Sequence, residues 1–159
     1  MAESKIIGIA ELSVERDPQI ITTLGLGSCI GVTMYDGARK VGGMVHIMLP
    51  TSTAGDGNRA KFADTGIIEL YENMIRNGAS KASLKAKLAG GAHMFSNSMA
   101  NDVIKIGQRN AVTARGVLRS LGIPIVAEDI GGTYGRTIEL HTDDGHLVVK
   151  TIGHGIKSI

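Results

Sequence analysis

The sequence predicts a mixed α/β fold of layered sheets, and three observations carry that reading. Short β-branched runs bounded by Gly, Pro and Asp signals recur in seven or eight places. Helical periodicity is confined to two segments, Ala60–Arg76 and Arg109–Leu121. The strands come partly as hairpins and partly joined across those helices. That is the pattern of a layered sandwich and not of a repeating βα unit.

Taken in order, Lys5–Ala10 (KIIGIA) reads as a strand, Asp17-Pro18 as a turn and Ile20–Leu24 (IITTL) as a second strand. Gly25–Ser28 reads as a flexible bend. Cys29–Tyr35 and Lys40–Leu49 form a hairpin around Asp36-Gly37, a strong turn signal between apolar runs. Pro50–Asn58 is a polar, glycine-rich loop. In the helix over Ala60–Arg76, Ile67, Ile68, Tyr71, Met74 and Ile75 recur at spacings of three and four, and Asn77-Gly78 ends it. Leu84–Ala89 is a strand closing on Gly90-Gly91. Residues 92–108 carry no clear period. The second helix stops at Gly122, and Ile123–Asp129 is a strand. Arg136–His141 and His146–Ile152 form a second hairpin around Asp143-Asp144-Gly145.

Composition bounds the function. The 159 residues suit one domain over 1–159 with a core large enough to need no disulfide or metal. Seventeen basic residues against fifteen acidic ones leave no general attraction for nucleic acid. With two Phe, three Tyr and no Trp, base-stacking platforms for single strands are excluded as well. One cysteine rules out an internal disulfide framework and a Cys-rich zinc site. Met1–Lys5 is polar and the apolar stretch Ile6–Ala10 is too short for a signal peptide. No run approaches the roughly 18 apolar residues of a membrane span. The expected compartment is the reducing cytoplasm, without membrane insertion.

Cys29 is the residue most suited to chemistry. It follows a Gly-x-Gly-Ser bend at the head of a strand, where free backbone N–H groups can hold an oxyanion and favour a thiolate. A buried core cysteine is the competing reading. His46 shifts the balance. A two-residue turn at Gly37-Ala38 sets Cys29 directly across the ladder from His46, with Cβ atoms roughly 4.5–5.5 Å apart. That suits a thiol and an imidazole that exchange a proton. A three-residue turn would move the two side chains apart. Thr23, six residues before Cys29, can fold back to orient the imidazole, and Thr22 is its rival. The run Gly25–Ile30 imitates a dinucleotide fingerprint, but Ile30 replaces the third glycine and a strand follows in place of a helix. His141 and His146 flank a hairpin turn and read as solvent-facing. His93 and His154 show no ligand spacing, and Cys29 with His46 lacks further partners for a metal, so none is expected there.

Thr23-Leu24-Gly25-Leu26-Gly27-Ser28-Cys29, followed by His46-Ile47-Met48-Leu49-Pro50, resembles the CheD family of chemoreceptor glutamine deamidases in bacterial and archaeal chemotaxis. The resemblance continues in order through Lys61–Asp64, Gly90–Phe95, Ile106–Asn110 and Ala127–Gly132. It implies a three-layer α/β/β sandwich of mixed, mostly antiparallel sheets with two main helices. It implies a triad of Cys29 as nucleophile, His46 as base and Thr23 as orienting group. The bend itself suggests that backbone N–H groups around Gly27, Ser28 and Cys29 hold the oxyanion. The implied substrate is a set of glutamine side chains on the cytoplasmic domain of chemoreceptors, converted to glutamate through a thioester with no metal or organic cofactor. A CheC-type phosphatase is the implied partner. Two other readings stay open: an adaptor that mainly binds CheC, and a Cys-His amidase or esterase with another substrate.

Overall fold

The computed structural model describes residues 3–93 and 101–159. Among them, ten strands and two helices are arranged in three layers. In chain order these are β1 (Ser4–Ile7), β2 (Leu12–Arg16), β3 (Ile20–Leu26), β4 (Ile30–Asp36), β5 (Val41–Ile47), α1 (Ala63–Arg76), β6 (Leu84–Gly90), α2 (Asn101–Leu121), β7 (Ile125–Ile130), β8 (Arg136–His141), β9 (Leu147–Thr151) and β10 (Gly155–Ser158). One sheet has the order β1-β3-β8-β9-β10 and the other β2-β5-β4-β6-β7. The pairs β1·β3 and β6·β7 are parallel and the rest are antiparallel.

Burial explains the layering. Every residue of β5 is buried, so the second sheet is covered on both faces. On one face Val32, Met34, Val45 and Ile47 join Ile67, Leu70 and Met74 of α1 and Ala114 and Leu118 of α2. On the other, Met44 and Ala89 meet Ile21, Ile138, Leu140 and Val149 of the first sheet. A Cβ on Gly43 would lie 2.8 Å from Leu70 Cδ1 and 2.9 Å from Met74 Sδ, so its lack of a side chain lets α1 settle onto β5. This is the α/β/β sandwich that the family resemblance implies.

The structure corrects several boundaries. β2 and β10 were not legible: β2 (LSVER) ends in two charged residues, and all four residues of β10 are exposed. Both exist because β5 and β9 offer them open edges. The first helix starts at Ala63, because buried Phe62 is extended (φ −115°, ψ 144°) and separates it from a 3₁₀ turn over Arg59–Lys61. The second helix starts at Asn101, eight residues before the expected Arg109. Met94 and Phe95, the end of the GGAHMF motif, lie outside the described residues.

The central hairpin carries the correction that matters most. Its turn holds four residues, 37–40, and the pairing runs from Asp36↔Val41 to Gly31↔His46 and Ile30↔Ile47. Cys29 is therefore not directly opposite His46. The cause is local. The buried Asp36 carboxylate accepts the N–H groups of Ala38 (3.0 Å) and Arg39 (3.1 Å), and Lys40 takes a positive φ of 54°. A slip of two residues preserves the face, so Cys29 moves from opposite His46 to a diagonal position.

Asp36 also accepts the Ser80 N–H at 2.8 Å and faces the Arg39 guanidinium at 3.2 Å. Burial raises its pKa, but the Ser80 and Arg39 donors more than offset this and hold the carboxyl below its ordinary range. A depressed folded-state pKa stabilises above the unfolded value and is lost as pH falls through the folded one. Asp36→Asn is thus expected to cost about 1.5–3 kcal/mol at neutral pH, as for hydrogen bonds to a charged group. In urea titrations the gap to the wild type should close as the pH drops below about 4. A gap constant with pH would remove the carboxylate from this role.

Candidate active site

Thr23 and His46 meet between the two sheets, and Cys29 packs against the same inter-sheet cluster. Thr23 lies on β3 of the first sheet, paired with Ile7 of β1 and Ile138 of β8. Its strand neighbour Ile21 belongs to the core between the sheets, and Thr23 shares that face. Thr22 points the other way, which removes it as the orienting residue. His46 lies on β5 of the second sheet and is 1% exposed. Thr23 Oγ1 and His46 Nδ1 are 2.7 Å apart, so the bond spans the layers.

The tautomer follows from counting protons. The Thr23 hydroxyl has one, and it donates it to the Ile7 carbonyl at 2.8 Å, which can only accept. Oγ1 must then accept from His46 Nδ1–H. That assignment leaves Nε2 bare, with a lone pair and no proton. Nε2 is buried and meets no partner among the described residues. Burial pushes the imidazole pKa down to about 4, so the ring is neutral at physiological pH.

Cys29 sits just before β4, half-buried, against the inter-sheet cluster that Met44 of β5 also joins. Burial pushes its thiol above the ordinary value, and its own backbone N–H pulls weakly the other way. Opposite His46 stands Gly31, where a Cβ would lie 2.4 Å from Ile138 Cδ1. The side chains of Ile138 and Leu26 occupy the space over Gly31, so the position opposite His46 has room for no side chain of its own.

The bend before Cys29 is held by its carbonyls. Gly27 O accepts from Ala92 N–H (2.9 Å), Ser28 O from Asn110 Nδ2 (2.9 Å) and Cys29 O from Gly91 N–H (2.9 Å). The N–H groups of Ser28 and Cys29 meet no backbone acceptor among the described residues. One residue earlier, β3 carries a bulge between Thr23 and Leu26, with Gly25 at φ +68°. That bulge turns the chain toward β4.

Sequence reasoning missed three contributors. The Ile7 carbonyl sets the tautomer. Gly90 holds φ +112°, and a Cβ there would lie 2.2 Å from Cys29 O. Asn110 of α2, fully buried, donates to Ser28 O and to Met48 O (3.1 Å), tying the segment before Cys29 to the segment after His46. The adjacent Gly90-Gly91 was visible as a motif, but its closeness to Cys29 was not. A cavity of about 410 Å³ between Thr33, Tyr35, Lys85 and Lys87 opens near the β4–β5 turn and includes none of the candidate residues.

The fold and the site together define an α/β/β sandwich with a cysteine and a hydrogen-bonded histidine at one end of its sheet interface. Comparison with known proteins identifies the family. Residues 48–151 match the family described as CheD chemotactic sensory transduction. The chain is 55% identical over 161 residues to the probable chemoreceptor glutamine deamidase CheD of Caldanaerobacter subterraneus subsp. tengcongensis, covering 99% of both chains. It is 49% identical over 156 residues to the chemoreceptor glutamine deamidase CheD of Halalkalibacterium halodurans, covering 96% of both. This chain belongs to the CheD family. Among solved structures it resembles the hypothetical protein YfiH of Bacillus licheniformis (TM-score 0.50, 16% identity, 75% of this chain and 49% of that one), a likeness of fold alone.

A neutral imidazole and a raised thiol predict how the free protein titrates. NMR of the His46 ring should show the Nδ1–H tautomer, with protonation only near pH 4. Alkylation of Cys29 by iodoacetamide should be slow at pH 7 and climb through the alkaline range. Fast alkylation at neutral pH would show a pre-formed thiolate and contradict this electrostatic picture.

Proposed function

We propose that this chain is a protein-glutamine deamidase acting on the cytoplasmic domain of chemoreceptors, with Cys29 as nucleophile, His46 as general base and Thr23 as the positioning residue for His46. The observation that carries the proposal is the bare, buried Nε2 of His46, fixed by the Thr23–His46 hydrogen bond. The names of the relatives supply the substrate class.

The chemistry follows from the groups present. At rest both thiol and imidazole are neutral, so proton transfer accompanies attack. His46 Nε2 takes the Cys29 proton as the sulfur bonds to the glutamine side-chain carbonyl carbon. The oxyanion is received by the backbone N–H groups of the Gly27–Cys29 bend, whose carbonyls are already engaged elsewhere. Collapse breaks the C–N bond, and the imidazolium proton leaves with ammonia. Water then gives its proton to His46 and attacks the thioester, releasing glutamate and restoring the thiol. A glutamyl methyl ester differs only in its leaving group and would follow the same path. The new carboxylate is a potential methylation site, which is how deamidation would tune chemotactic signalling.

The proposal places the protein in the cytoplasm, where those receptor domains lie, as one domain over residues 1–159. No described helix is long and apolar enough to cross a membrane. A CheC-type phosphatase is proposed as a second partner, supported by family resemblance.

Mass spectrometry of a chemoreceptor cytoplasmic fragment tests the reaction directly. Wild-type protein should convert selected glutamines to glutamate, and Cys29→Ala and His46→Ala should not. Thr23→Ala should retain part of the rate. Turnover by Cys29→Ala at the wild-type rate would overturn the assignment.

Asn110→Leu separates positioning from binding. Loosening the bend relative to His46 should lower kcat by roughly tenfold or more, given the steep dependence of rate on alignment. KM should stay near its wild-type value, and circular dichroism should confirm the fold. A change in KM alone would place Asn110 in substrate binding.

A further inference from the structure

The turn between β8 and β9 gathers two imidazoles and a carboxylate that the reaction does not use. His141 and His146 are the last cross-strand pair before the turn, joined by His141 N–H to His146 O at 3.0 Å. Their rings stack at 4.2 Å between centroids and 16° between planes. One nitrogen from each ring and a carboxylate oxygen of Asp143 all lie within 4.8 Å of one another. The turn that presents them is braced by Gly145 N–H to His141 O (2.7 Å) and His146 N–H to Asp144 Oδ1 (3.0 Å).

Two details distinguish this cluster from an ordinary surface pair. His141 Nε2 is buried and has no hydrogen-bond partner among the described residues, although the Glu139 carboxylate lies 3.5 Å away. His146 Nδ1, in turn, is held by the Asp144 carboxylate. A carboxylate on one ring nitrogen fixes the ring and makes the other a better donor, which is the usual support of a metal-bound histidine.

We propose that His141, His146 and Asp143 form a site for a divalent transition-metal ion, with Asp144 orienting His146 and solvent completing the coordination. Two imidazoles and one carboxylate suit zinc, cobalt, nickel or copper(II) better than magnesium or calcium, which take oxygen ligands. Closing ligand atoms from 4.8 Å onto metal bonds of about 2.0–2.2 Å needs small side-chain rotations at the turn. The site lies at the end of β8 that pairs with Ile20, three residues along β3 from Thr23. It is therefore separate from the Cys29–His46 pair.

Titration of the full chain with Co²⁺ or Zn²⁺ as the metal alone tests this. The wild type and Cys29→Ala should both bind one equivalent, with Co²⁺ giving a ligand-field spectrum and Zn²⁺ raising Tm. His141→Gln and His146→Gln should lose that binding while unfolding cooperatively without metal. Asp144→Asn keeps all three ligands and should weaken affinity about tenfold or more. Binding unaffected by either histidine substitution, or lost only in Cys29→Ala, would overturn the proposal. So would no saturable binding by the wild type. None of these readouts uses deamidation, so the site stands or falls independently of the proposed reaction.

Discussion

The hydrogen bond between Thr23 and His46 is the constraint around which the sheet interface is arranged. An imidazole placed between two apolar sheet faces must find a partner for its N–H, because an unmet buried donor costs about 1–3 kcal/mol. The partner comes from the opposite sheet, at 2.7 Å. Its own proton goes to Ile7 O on β1, next to β3. A single chain of polar contacts thus runs from the first sheet into the second. It ends on a nitrogen whose hydrogen-bonding capacity is unspent.

Backbone close approach explains the glycines around this chain. Gly31 has no side chain where Ile138 crosses the interface, and Gly90 has none where Cys29 O passes within reach of a Cβ. Asn110 then fastens two loops that no strand pairing connects, through one amide group. These contacts position the bend before Cys29 by its carbonyls and engage none of its N–H groups. The bend that carries the thiol is fastened by α2, and the imidazole, on β5 of the second sheet, by β3 of the first, so three layers take part. Their alignment therefore depends on the packing of all three.

The aliphatic composition found its structural reason in the same place. Two sheets and two helices close on Ile, Leu, Val, Met and Ala, with few aromatic rings to fill gaps. Glycine then serves to bring layers together, as at Gly43 under Leu70 and Met74. Elements whose sequence signal was weak owe their form to neighbours. β2 and β10 are strands because open sheet edges accept them, and Phe62 interrupts a helical pattern because it is drawn into the core.

Much was therefore readable in one dimension. Period-two runs, two helical periods and turn dipeptides determined a layered α/β fold, because each reports local geometry. A lone cysteine after Gly-Leu-Gly-Ser, with a histidine on the following strand, marked the candidate site. Tertiary structure alone decided how those residues meet. The hairpin register depends on Asp36 gathering the N–H groups of Ala38, Arg39 and distant Ser80. The choice of Thr23 over Thr22 depends on which face of β3 the second sheet covers. The protonation of His46 depends on Ile7, and the setting of the bend on Gly90 and Asn110. Apart from the turn contacts of Asp36 with Ala38 and Arg39, these contacts join residues far apart in the chain, and no local periodicity records them.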